Sequence, residues 1–81
     1  MNMPTMPRVE ALLSTLNATD VGTLESVAEK LLQVRDELLS LDKPELAERA
    51  QGALEALTRG DVTEFKRARA FLQSKIGHLR A

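Results

Sequence analysis

LESVAEKLLQVRDELLSL, residues 24–41, is the stretch whose reading decides the fold. Leu24, Val27, Leu31, Val34, Leu38 and Leu41 recur in steps of three and four. That spacing lines one stripe of an α-helix and matches the a/d seam of a coiled coil. About three heptads are too few for a free coiled coil, so the seam must lie along other helices. At about 100° per residue, Ala28, Leu32 and Leu39 widen the stripe to roughly half the helix circumference. One neighbouring helix does not cover so wide an arc; two or more are required, in this chain or in a second copy. Arg35 falls near the middle of the arc, among Ala28, Leu31, Leu38 and Leu39. A buried arginine needs a carboxylate partner. The alternative lays its stem along apolar surface and lets the guanidinium reach water.

Upstream, Val9, Leu12, Leu13 and Leu16 sit at i, i+3, i+4 and i+7, one apolar stripe on a short helix. Thr5 is a candidate N-cap for it, with Pro7 in the first turn. Asn17-Ala18-Thr19-Asp20 ends that helix, and Thr19 or Asp20 is the expected N-cap of the next, with Gly22 blurring the boundary. Downstream, Leu41-Asp42-Lys43-Pro44-Glu45 reads as a stop and restart, with Asp42 as cap, Pro44 in the first turn and Glu45 three residues after Asp42. A third helix follows, its apolar face formed by Leu46, Ala50, Ala53, Leu54 and Leu57, with Ala47 beside it. Small residues there let a partner approach closely, and Gly52 adds a possible close contact. Glu45–Arg49 and Glu55–Arg59 have the i, i+4 spacing of outer-face ion pairs. Arg59-Gly60-Asp61 marks a tight turn: Gly60 suits a left-handed C′ position, and Asp61 with Glu64 repeats the cap-plus-acid pattern. So short a link predicts an antiparallel αα-hairpin. The last helix should bury Val62, Phe65, Ala68, Leu72, Ile76 and Leu79.

The expected architecture is therefore all-α: a small bundle of about four amphipathic helices, near 7–17, 20–41, 43–59 and 61–80, forming one domain over 7–81. Residues 1–6 read as a flexible tail. The chain has 81 residues, so its core is small and its stability marginal unless something is added. With no cysteine a disulfide is out, and a lone histidine, His78, gives no metal cluster. A well-packed helical core, self-association, or both remain, and completion of the core by dimerisation is the expectation. No apolar run approaches the roughly 18 residues of a spanning helix, and no basic-then-apolar leader opens the chain, so cytoplasmic location is the default.

Catalytic readings find little footing. A serine nucleophile needs a base beside it, and His78 falls on the outer side of the last helix. The acids are spread singly, with no pair placed for burial to tune, and the four glycines are isolated. The chain is expected to be no enzyme, with no cofactor, metal or small-molecule substrate.

Charge is more informative. Residues 1–58 carry five Lys/Arg against ten Asp/Glu; residues 59–81 carry six against two. A basic last helix invites a nucleic-acid reading through Arg67, Arg69, Lys75 and Arg80. The competing account is internal, with acidic helices beside the basic one, and it is favoured because the whole chain has net charge −1. Phase argues against a helix-turn-helix. With Gly60 at the turn, the second helix would bury Lys66 and Arg69, yet the apolar face runs through Phe65, Ala68 and Leu72. Phe71 projects about 120° from the core stripe, with Arg67, Lys75 and His78 one or two turns either side. It is either covered by the first helix or a dimer mate, or it is a docking spot for a partner helix or a stacking platform for a base. The leading expectation is a non-enzymatic helical protein–protein interaction module or adaptor, forming a homodimer. Its candidate contact residues are Leu32, Arg35 and Leu39 on the second helix, and Arg67, Phe71, Lys75 and His78 on the last.

Overall fold

The Thr23 hydroxyl accepts the backbone N–H of Ser26 at 3.1 Å and starts the central helix at Leu24. In the computed structural model, which describes residues 6–79, the elements are α1 (Met6–Asn17), a 3₁₀ turn (Ala18–Asp20), α2 (Leu24–Ser40), α3 (Pro44–Thr58) and α4 (Val62–His78). No strand occurs among the described residues. Of the tail expected over residues 1–6, Met6 falls in α1 and residues 1–5, with the Thr5 cap, lie outside the described residues.

The second helix starts later than the 20–41 pattern suggests, and Thr23 rather than Thr19 or Asp20 caps it. Gly22 takes φ +112°, a conformation costly for any residue with a Cβ, so the chain breaks there before α2 begins. Thr19 is instead buried, and its hydroxyl donates to the Leu16 carbonyl at 2.7 Å, satisfying the end of α1.

Asp42 also has a different role from the expected cap. Lys43 N–H bonds Leu38 O at 2.8 Å and Asp42 N–H bonds Leu39 O at 3.0 Å. That pair of bonds is a Schellman motif with Asp42 at C′, φ +64°. The same motif closes α3 around Gly60, φ +80°, through Asp61 N–H to Ala56 O and Gly60 N–H to Leu57 O. Pro44 occupies N1 of α3, where its missing N–H is harmless, and Lys43 provides no side-chain cap. At α4 the expected cap holds, Asp61 Oδ1 accepting Glu64 N–H at 3.1 Å.

α3 packs on both α2 and α4, while α1 packs on α2 and α4. Arg8 on α1 donates to Glu37 Oε1 (2.9 Å) and Ser40 Oγ (2.7 Å) of α2. At the other end of α1, Gln73 of α4 donates to Asn17 Oδ1 at 2.8 Å. Val9, Leu12, Leu16, Val27, Leu31, Val34, Leu38, Phe65, Ala68, Leu72 and Ile76 form one buried cluster with four alanines of α3. Each fully buried Leu, Ile or Val contributes about 1.5–3 kcal/mol relative to exposure.

On α3 the buried line is Ala47, Ala50, Ala53 and Ala56, and Leu46, Leu54 and Leu57 flank it half-buried. Steps of three shift the line by about 60° each time, so it winds over roughly half the helix. A helix gripped by neighbours on both sides needs small residues over such an arc. Gly52 plays no part in this: it is exposed, and a Cβ there would meet nothing within 4 Å. Two expected core residues are exposed, Leu24 at 57% and Val62 at 55%. Each is the first residue of its helix, beyond the reach of the neighbouring helices.

Candidate functional site

Among the described residues, the side chains singled out by the sequence fall mainly on two surfaces. The first runs along α2. Leu24, Ala28, Leu32, Arg35 and Leu39 lie within about 80° of one another on the helix, beside the buried arc of Val27, Leu31, Val34 and Leu38. Leu39 is 53% exposed, and Ala28 and Leu32 are half-buried. Arg35 is half-buried rather than buried. Its stem is covered, leaving the side chain 34% exposed, while Nε and Nη2 donate to Asp36 Oδ1 at 3.2 and 3.0 Å. Nη1 donates to Gln51 Oε1 of α3 at 2.8 Å, and Gln51 Nε2 reaches Glu55 Oε2 at 3.5 Å. A half-exposed pair of this kind adds at most about 1 kcal/mol. The bond to Gln51 ties the guanidinium to α3.

The second surface is an open groove of about 830 Å³ between the first turns of α3 and the last turns of α4. Phe71 is its half-buried floor. Arg49 of α3 lies over the ring, Cζ 4.0 Å from the centroid, and Lys75 Nζ is 5.5 Å from it. Phe71 is thus covered by α3, not by α1. Lys43, Pro44, Leu46, His78 and Leu79 complete the apolar and basic lining, with Asp42 and Glu45 on the rim. The i, i+4 pairs drawn for Arg49 and Arg59 give way to other contacts: Arg49 takes the ring, and Arg59 pairs with Asp61 at 3.8 Å.

The basic residues of α4 do not share one face. Lys75 and His78 border the groove with Phe71. Arg67 pairs with Glu64 at 3.4 Å, outside the groove lining. Arg69 stands against Phe65, 5.4 Å from its centroid. Arg80 lies outside the described residues.

The Arg49–Phe71 contact escaped the periodicity argument, which treats helices one at a time. A signal for it existed: both residues stand eleven positions from Gly60, so folding the chain back at that turn brings them level.

Among the described residues no group of three or more His, Cys, Asp or Glu side chains is placed to hold a metal ion. No helix there is long and apolar enough to cross a membrane. Comparison with protein families, characterised proteins and solved structures gives no match.

Proposed function

We propose that this chain is a non-enzymatic helical interaction module, an adaptor that works in the cytoplasm as a homodimer. In this reading α3 and α4 form an antiparallel αα-hairpin, and the outward stripe of α2 is the dimer seam. One observation carries the proposal: Leu24 and Leu39 are more than half exposed at the two ends of a helix whose intervening Ala28 and Leu32 share their side. A monomer gains nothing from leaving that row in water, whereas a second copy covers it. A standard interface needs about 800 Å² per partner. That is under a fifth of this chain's 4980 Å² surface. Arg35, anchored by Asp36 and Gln51, sits within the row and sets its register, the best-attested use of a charged group in an apolar seam.

The direct test is Leu39→Glu, read by light scattering after size exclusion. Because Leu39 is exposed, the variant keeps its helicity by circular dichroism and loses self-association. A wild-type monomer, or a Leu39→Glu protein that still dimerises as tightly, removes the proposal.

A further inference from the structure

The cations of the described residues are not used evenly. Arg8, Arg35, Arg59 and Arg67 each make an ion pair with a carboxylate. Lys43, Arg49, Lys75, Lys30 and Lys66 make none, and the first three of these share the α3–α4 groove. Arg49 is held instead by its stack on Phe71. Stacking fixes the guanidinium plane and leaves its N–H fork free, so little side-chain entropy is lost when a carboxylate arrives. Around it lie apolar surfaces from Leu46, Phe71 and Leu79. An apolar floor with an oriented arginine and two flanking lysines matches an acidic ligand that also carries a large apolar side chain.

We infer that this groove docks an acidic segment of another protein, one carboxylate taken in the Arg49 fork and an adjacent apolar side chain seated on Phe71. Asp42 and Glu45 on the rim, with a net chain charge of −1, disfavour the continuous phosphates of a nucleic acid. They tolerate a few carboxylates placed opposite Lys43 and Lys75. The inference deepens the interaction-module reading by naming a partner's chemistry. It uses α3 and α4, not the α2 seam, so the two fail separately.

The test uses the full chain, isotope-labelled, and a set of end-blocked fluorescent peptides rich in Glu and Asp, each with a single Phe moved along the acidic run. At least one peptide is expected to bind and to shift the amide signals of Leu46, Arg49, Phe71 and Lys75. Arg49→Gln should weaken that peptide at least tenfold, as should replacing its acids by Gln. Phe71→Leu, which keeps the apolar volume and so the fold, should weaken it several-fold. Leu39→Glu should leave it unchanged. The inference is overturned if none of the peptides binds, if the Gln peptide binds equally well, or if Arg49→Gln has no effect. It is equally overturned if a single-stranded oligonucleotide shifts the same signals and the peptides do not.

Discussion

Asp42 holds a left-handed backbone, φ +64°, at the C′ position that closes α2, while Gly60 takes the same role at the end of α3. Aspartate tolerates that region better than most residues with a Cβ, and glycine better still. Asp42→Gly is therefore expected to stabilise the protein by about 0.5–1 kcal/mol, and Asp42→Ala to destabilise it by a similar amount. For a domain of this size about 1 kcal/mol moves Tm by roughly 4–8 °C, so thermal melts of the pair distinguish the signs. Thr23 offers a second check. Removing its hydroxyl by Thr23→Ala orphans the Ser26 N–H and should cost about 1 kcal/mol. Three residues of capping type within five positions, Thr19, Asp20 and Thr23, made the start of α2 ambiguous from composition alone. The φ of Gly22 decides among them, and φ is a product of the whole fold.

At the scale of the element, α2 was legible because its pattern is long: six apolar residues in strict three-four alternation leave one solution. Only its end residue Leu24 fell on the wrong side, because periodicity tells where a side chain points and not how far the neighbouring helices reach. α3 was read less well. The expected face joined Leu46, Leu54 and Leu57 to Ala50 and Ala53, yet it is Ala47, Ala50, Ala53 and Ala56 that are buried, and the leucines flank them. Bulk normally marks the buried face, but a helix packed on two neighbours inverts that rule. The inversion is testable on adjacent residues. Gly52→Ala adds a methyl where nothing lies within 4 Å, and should stabilise α3 by about 1 kcal/mol through helix propensity. Ala53→Leu adds bulk where Ala53 is fully buried, and should cost about 1–3 kcal/mol by overpacking. Urea unfolding of the two variants, with unchanged slope, measures both.

For the whole molecule, the split between an acidic 1–58 and a basic 59–81 suggested neutralisation between helices. Two of the ion pairs are more local than that. Arg59 pairs with Asp61 and Arg67 with Glu64, within the basic segment itself. Three of the cations left over, Lys43, Arg49 and Lys75, line the groove, where Arg49 and Lys75 meet Phe71, while Lys30 and Lys66 lie outside it. Sequence pattern identified Phe71 as surplus to the core, with Arg67, Lys75 and His78 as its neighbours, of which Lys75 and His78 line the groove and Arg67 does not. It did not supply Arg49, because that contact depends on how α3 and α4 are set against each other. The α2 row followed the opposite course: Leu32, Arg35 and Leu39 were singled out by phase, and burial leaves the row partly open.

That open row is where the account is most exposed to disproof. Sedimentation equilibrium of the wild-type chain over roughly 1 to 100 micromolar tests it, since association follows mass action. The account predicts a mass rising with concentration from the 8.9 kDa of one chain to twice that value, and held at one chain by Leu39→Glu. A wild-type mass that stays at 8.9 kDa across the whole range would contradict it.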